Sequence, residues 1–214
     1  MKLAQLPDAP ELLGFRMGMT KAQVKVRVPQ VDFGRINSFG VSKTSISPDY
    51  DSRIDKTTLG GVRTVSLDFL DDRLVSLWFG YDSGFKWHTV PDFVNGISQS
   101  LQLPNAWQIW KMRGQQLKCA DFQITVINIG EGPAFHIIDE TAEQLIAARR
   151  AAIEEENASA ADAVALEVIG DKKDKFYYVQ GCAPAHEIKR EDRVIFKSKE
   201  EAQSAGYKPA TKCE

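Results

Sequence analysis

Long hydrophobic runs are missing from this sequence. No stretch approaches the roughly 18 apolar residues that a membrane-spanning helix needs, and the most hydrophobic segments, 74–81 and 122–129, have the length of β-strands. We therefore expect no membrane span. An excess of charge of one sign is missing too, because 27 basic and 29 acidic residues leave a net charge of −2. Such a balance does not draw the whole chain to nucleic acid or to an anionic membrane.

Familiar catalytic motifs are also missing. The sequence contains no glycine-rich phosphate loop, HExxH motif or nucleophile elbow. His88 is predicted to be a polar loop residue, and His136, between two hydrophobic residues, either points away from the core or is a satisfied core histidine. Asp68, Asp71 and Asp72 form an acidic cluster, but the last two fall in a predicted turn, where Asp is favoured by the backbone. We predict no catalytic residues.

Cysteine is scarce, and three cysteines exclude a disulfide-dense scaffold. Cys119 alternates with Leu117 and is predicted to be a small buried hydrophobic residue. The other two, Cys182 and Cys213, frame the last segment of the chain, which is too short for a large core. Because domains of that size generally need a metal ion or a disulfide, we expect a structural role for both cysteines.

The hydrophobic pattern of residues 1–140 predicts an α+β module. Residues 64–81 alternate between apolar and polar on both sides of a turn at 70–73, which indicates a hairpin. A capping box at 20–23 starts a short helix, and Pro91 begins a second helix with apolar residues four apart. Three or four further strands follow between residues 107 and 137. This order favours a mostly antiparallel sheet with helices on one face.

An acidic helix is predicted to join the two ends of the chain. Residues 139–170 carry eight acidic and two basic side chains, as is typical of a solvated connecting helix. A capping-box pattern at 141–144 marks its start. We therefore divide the chain into an α+β module (1–140), an acidic helical connector (141–165) and a small C-terminal module (166–214).

The N-terminal phrase LLGFRMGMTKAQV, followed by the hairpin sequence LDFLDDRLVSLWF, resembles a known kind of module. It is similar to the small helix-plus-sheet modules of outer-membrane assembly lipoproteins and β-lactamase-inhibitor-like proteins, in which a Gly-Met-Thr turn starts a helix packed on an antiparallel sheet. The resemblance implies a non-enzymatic module of the cell envelope that contacts other proteins. The chain lacks the leader and the lipidated cysteine of the lipoproteins.

The C-terminal module carries a series of short motifs: Gly181-Cys182, the passage 193–198, Glu200-Glu201-Ala202, and Gly206-Tyr207-Lys208-Pro209 before Cys213. In these residues it resembles the zinc-binding module of the Ada methylphosphotriester repair proteins. The resemblance implies a small zinc-ribbon-type fold. Of the implied metal ligands, Cys182, His186 and Cys213 can bind zinc, whereas the position of another family cysteine is Ala210. The metal site is therefore degenerate, and methyl transfer to Cys182 is disfavoured.

Three states of this module remain open at the level of sequence. A Cys182–Cys213 disulfide would close a loop in the unfolded chain and so stabilise the folded module by roughly 3–4 kcal/mol, through the entropy that the unfolded chain loses. A degenerate zinc site would use Cys182, His186 and Cys213, with three ligands where structural zinc sites have four. In the third state both thiols are free and packing alone holds the fold.

We expect a non-enzymatic interaction protein whose sheet binds a protein partner. The four tryptophans are mostly core candidates, but one or two on an open sheet face would mark a partner surface. The first residues form no signal peptide. Taken literally this means cytosolic, but it also suits a mature chain whose leader was removed, and we favour the periplasmic or secreted location. The alternative is a nucleic-acid-binding protein using a degenerate zinc module, because six basic residues lie at 172–193.

Overall fold

A computed structural model describes residues 1–57, 59–111, 114–130 and 132–211, with the side chains of 159–166 left out. The chain divides into two compact units, Met1–Arg149 and Arg150–Glu214. The boundary falls inside a long helix, Glu140–Leu166. Among the described residues, no helix combines the length and the apolar character needed to cross a bilayer.

The first unit is built on one antiparallel sheet. Its described strands are β1 (Val41–Ile46), β2 (Val62–Leu70), β3 (Arg73–Tyr81), β4 (Gln108–Trp110), β5 (Gly114–Lys118), β6 (Phe122–Ile129) and β7 (Gly132–Asp139). They lie in the order β1-β2-β3-β7-β6-β5-β4, and every neighbouring pair is antiparallel. The described helices are α1 (Lys21–Arg27), α2 (Val90–Ser100) and the start of α3 (Glu140–Leu166). The predicted α+β class and largely antiparallel sheet are confirmed.

The hairpin formed by β2 and β3 follows the sequence prediction closely. Leu67, Leu77 and Phe79 are fully buried on one face, as the alternation requires. Asp71 and Asp72 form the two-residue turn, with φ of 47° and 68°. Two successive left-handed residues suit the twist of a tight hairpin, and Asp tolerates that conformation better than most residues.

The helices α1 and α2 cover the apolar face of the sheet. The Thr20 side chain accepts a hydrogen bond from the Gln23 backbone N–H, and the Gln23 side-chain oxygen accepts one from the Thr20 N–H, which is the predicted capping box. In α2, Phe93 and Ile97 are fully buried at the predicted spacing of four. These residues join one continuous core under the hairpin.

The helices predicted within the α+β module, α1 and α2, share one face of the sheet, and the connecting helix α3 packs on the other face. Ala142 and Ile146 of α3 pack with Val41, Leu70 and Val75 in a second cluster. Because Val75 follows the core residue Leu74 in the strand, this cluster lies on the opposite face of the sheet. A bulge between the Asp68 and Phe69 pairings turns Val75 toward that helix.

The cap of α3 predicted at 141–144 is wrong. The helix begins at Glu140, and the side chain of Asp139 accepts a hydrogen bond from the Ala142 N–H at 3.0 Å. Asp139 is the last residue of β7 and caps the helix directly, so the capping-box pattern at Thr141 lies inside the helix. Arg149 fastens the helix to the hairpin turn, since its Nη1 lies 2.9 Å from Asp71 Oδ1.

The second unit has a small sheet of its own. Its described strands are β8 (Val168–Asp171), β9 (Phe176–Val179), β10 (Arg193–Phe196) and β11 (Lys208–Pro209), in the order β10-β8-β9-β11. Its described short helices are α4 (Ala183–Glu187) and α5 (Lys199–Ser204). The Ada-like zinc-ribbon type stays a prediction.

Candidate functional site

A polar groove runs along the face of the large sheet opposite α1 and α2. Its volume is about 510 Å³, and its lining includes Lys43, Ser66, Ser76, Trp78 and His136. The alternation that buries the hairpin core sends these side chains to the other face, where they meet across adjacent strands. The groove therefore presents hydroxyl, charged and aromatic groups from four strands.

Ser76 and His136 form a hydrogen-bonded pair in the groove. The Ser76 Oγ lies 2.9 Å from His136 Nε2. Burial lowers the pKa of His136; Lys43 lowers it as well, while Asp68 opposes both. The imidazole is consequently neutral near pH 7. His136 points away from the core, as one of the two predictions for it states. Its hydrogen bond with Ser76 agrees with part of the other, which expected a histidine with a hydrogen-bond partner.

The distance between Ser76 Oγ and His136 Nε2 is that of a catalytic nucleophile and its general base, but the groups that surround such a pair in an enzyme differ from those found here. Ser76 sits in mid-strand between β2 and β7, so its backbone is committed to the sheet. Among the described residues, no carboxylate hydrogen bond orients the His136 ring. Asp68 instead pairs with Lys43 at 2.7 Å. An acyl-transfer site needs an oriented base and donors for the oxyanion, and the groove fits binding better than such catalysis.

Trp78 is the large aromatic group of the groove. It lies opposite Ser66 on β2 and His136 on β7 and is half-buried. Its ring runs over Gly80, where an added Cβ would come within 2.5 Å of the indole. Because Gly80 has no side chain, it leaves room for the indole to lie against the strand. Trp87 and Trp107 differ, since both pack on the core.

The two described cysteine-module candidates differ in exposure. Cys182 is buried at the residue before α4, and His186, four residues later, is exposed. Cys182 is not a free thiol. Cys213 lies outside the described residues, so its pairing with Cys182 and its place in a zinc site both stay predictions. Within the described ranges, no cluster of three or more His, Cys, Asp and Glu side chains could hold a metal ion.

The remaining candidates occupy ordinary positions. Cys119 is half-buried against the large core as a free thiol, and burial raises its pKa, which disfavours the thiolate. His88 is exposed just before the Thr89 cap of α2. Ala210 donates its backbone N–H to the Tyr177 carbonyl at 3.0 Å. Position 210 thus serves the small sheet through its backbone.

An ion pair near the N-terminus joins a buried carboxylate to an exposed lysine. Glu11 is almost fully buried, and its Oε1 lies 2.7 Å from Lys86 Nζ. Burial alone would raise the pKa of Glu11, but hydrogen bonds from Lys86, the backbone and Ser100 lower it overall. The Tyr81 hydroxyl also donates to the Glu11 carbonyl. No sequence signal marks a pair 75 positions apart.

Comparisons with protein-family models, with curated proteins and with solved structures found no match to this chain. The two resemblances seen in the sequence therefore stay predictions. The assignment of function rests on the geometry of the molecule.

Proposed function

We propose that this is a non-enzymatic interaction protein of the bacterial cell envelope or secreted space, which binds a protein partner in the polar groove of its large sheet. The observation that carries the proposal is Trp78, held over Gly80 in the middle of an open groove. Tryptophan is enriched among the residues that dominate binding energy at protein interfaces. A half-buried indole needs little ordering on binding.

The rim of the groove supports a protein partner. Lys43 and Asp68 place both charges beside Trp78, and Ser45 and Ser66 add hydroxyl groups. An aromatic centre with a polar rim is the usual anatomy of a protein interface. Leu74 N–H donates to the Met19 carbonyl at 2.8 Å, so the Gly18-Met19-Thr20 turn lies against the start of β3. The helix α1 begins directly after this turn, which supports the proposed resemblance to envelope proteins.

The second unit is proposed to be a structural module held by a Cys182–Cys213 disulfide. Its described core is limited to Val168, Tyr177, Phe196, Ala202 and Tyr207. Cys182 is buried and is not free, which favours a covalent role over a metal site with the exposed His186. A disulfide also suits the proposed oxidising compartment.

Nucleic-acid binding is the less favoured alternative. Several basic side chains of the second unit are occupied internally: Lys173 pairs with Asp192 at 2.9 Å, and Arg193 donates to the carbonyls of Ala185 and Ile188. Lys175 lies over the Tyr207 ring. Arg193 is thus committed to backbone carbonyls, and the Asp192 carboxylate reduces the positive potential that a phosphate would meet at Lys173. Salt-sensitive DNA binding by the intact protein would restore this alternative.

Site-specific photo-crosslinking tests the proposed groove. A benzophenone amino acid replaces Trp78, and the control position is Val26, which is 81% exposed on α1. Crosslinked products from cell-envelope extracts are identified by mass spectrometry, and the purified partner is then titrated. We expect crosslinking at position 78 only, and a Kd about tenfold weaker for Trp78→Ala but unchanged for Val26→Ala. Equal crosslinking at both positions, or an unchanged Kd for Trp78→Ala, would overturn the proposal.

A further inference from the structure

A second cavity lies on the opposite side of the large sheet from the groove. It has a volume of about 310 Å³ and opens between the N-terminal segment and the core. Leu77 and Ile137, which face each other on β3 and β7, line it, together with Leu101 at the end of α2. The cavity thus reaches the fully buried layer of the molecule.

The N-terminal segment forms the other wall. Phe15, Met17 and Met19 line the cavity from this side. The segment is fastened at its start, because Leu3 N–H donates to Asp121 Oδ1 at 2.7 Å. Aliphatic, aromatic and thioether side chains therefore make up most of the lining residues, while polar atoms contribute about half of the accessible lining surface. Thioethers adapt readily to a flexible apolar ligand.

The polar side chains of the cavity are basic or neutral. Arg16, Arg73 and Gln23 line it, and the described lining includes no Asp or Glu. Arg16 and Arg73 are exposed, so they lie where the cavity meets solvent. Arg73 donates to the Gly18 carbonyl at 3.2 Å, which uses one of the five N–H donors of a guanidinium. Arg16 pairs with Asp8 at 3.4 Å, but exposed pairs of this kind are weak and exchangeable.

We infer that this cavity binds an amphipathic anion with a single acyl chain, such as a medium-chain carboxylate. The chain would occupy the apolar space above Leu77 and Ile137, and the carboxylate would accept hydrogen bonds from Arg16 and Arg73. A guanidinium matches a carboxylate in a two-pronged geometry. The volume is at the lower end for small-molecule sites, which fits one chain better than the two chains of a bilayer lipid. The site is independent of the groove on the other face.

Titration with decanoate, followed by methyl signals of ¹³C-methionine-labelled protein, tests this inference. Met17 and Met19 lie in the cavity lining, whereas Met1 does not and serves as the internal reference. We expect saturable shifts of the Met17 and Met19 signals and none of the Met1 signal. Decan-1-ol should bind at least tenfold more weakly, because it has no charge for the arginines to pair with. Vesicles of phosphatidylglycerol should leave the signals unchanged.

Variants separate the head group from general adsorption. The double variant Arg16→Gln/Arg73→Gln should weaken decanoate binding about tenfold or more, and Arg35→Gln, an exposed arginine outside the cavity lining, should not. Near-UV circular dichroism verifies that each variant keeps its fold. The inference is overturned if Met17 and Met19 do not shift, if Met1 shifts equally, or if decan-1-ol binds as well as decanoate. A double variant that binds like wild type, or equal shifts with vesicles, would also overturn it.

Discussion

The two units of this protein use very different amounts of buried surface. Among the described residues, the main core of the first unit contains 27 buried hydrophobic residues, whereas that of the second contains five. Apolar burial contributes about 25 cal/mol per Å², so the larger core can offset the entropy of an ordered chain. The smaller core of the second unit buries too little apolar surface to do so alone, so this unit needs a further stabilising interaction. The comparison indicates that packing holds the first unit, and we propose that the second depends in addition on the predicted Cys182–Cys213 disulfide.

The largest effect is expected from a cavity in the first core. Phe93 is fully buried and contacts the rings of Tyr81, Trp87 and Phe135. Phe93→Ala should lower the free energy of unfolding of the first unit by about 4 kcal/mol, because it loses these contacts and leaves a void. Urea denaturation followed by tryptophan fluorescence measures the loss. A change below 1 kcal/mol would contradict the role assigned to packing.

The second unit should respond most strongly to loss of Cys182. Cys182→Ser should destabilise this unit by roughly 3 kcal/mol, because the unfolded chain regains the freedom that the predicted disulfide removes. Cys119→Ser is the matched control, since Cys119 is a free thiol in the first unit. Hydrogen exchange of residues 168–209 measures the effect. Equal protection in both variants would show that packing alone holds the second unit.

The ion pair between Lys86 and the buried carboxylate of Glu11 should contribute more to the free energy of unfolding than a pair in which both side chains are exposed. Lys86→Met should cost about 2 kcal/mol, because it leaves the carboxylate of Glu11 buried without its partner. Lys56→Met breaks an exposed pair with Asp49 and should cost below about 0.5 kcal/mol. Thermal unfolding at pH 7 compares the two. Similar losses would mean that burial does not distinguish these pairs.

The same ion pair predicts a pH dependence. The folded pKa of Glu11 lies below its ordinary value of 4.5, so its contribution is full above that value and is lost as the pH falls through the folded pKa. Wild-type stability should therefore decline below about pH 4.5 more steeply than that of Glu11→Gln. Urea denaturation between pH 3 and pH 6 gives both slopes. Parallel curves would contradict the lowered pKa.

The smallest effects should come from helix caps, one in each unit. Thr20 caps α1 and Ser198 caps α5, each by accepting a backbone N–H bond at 3.2 Å. Thr20→Ala and Ser198→Ala should each cost about 1 kcal/mol, and each should act on its own unit. Hydrogen exchange resolved by peptide identifies the unit affected. Loss of protection in both units from one variant would show that they unfold together.

Local signals made most of the fold predictable. The hairpin at 64–81, the capping box at Thr20 and the spacing of Phe93 and Ile97 are patterns that backbone geometry and burial read directly. The cap of α3 was missed because Asp139 belongs both to a strand and to a helix. The packing of the connecting helix α3 on the second face could not be predicted, because only Ala142 and Ile146 provide its apolar contact.

The candidate sites were less predictable than the fold. Ser76 and His136 are 60 positions apart, and only the pairing of β3 with β7 brings them together. The cavity of Arg16 and Arg73 likewise depends on where the N-terminal segment crosses the sheet. Trp78 was anticipated in kind, as a tryptophan on an open face. The sequence does not identify which tryptophan this is. The second strand of the hairpin, which contains Trp78, carries apolar residues on both faces, so its pattern does not show which face is open.

Mass spectrometry with alkylation tests the difference between the two units most directly. Protein purified without reductant or chelator is denatured and alkylated, either before or after reduction, and its intact mass is compared with that of the native protein. We predict one alkyl group, on Cys119, before reduction, three after it, and a mass two hydrogens below that of the reduced chain. Three alkyl groups before reduction, or zinc retained in the native spectrum, would contradict a second unit held by a disulfide.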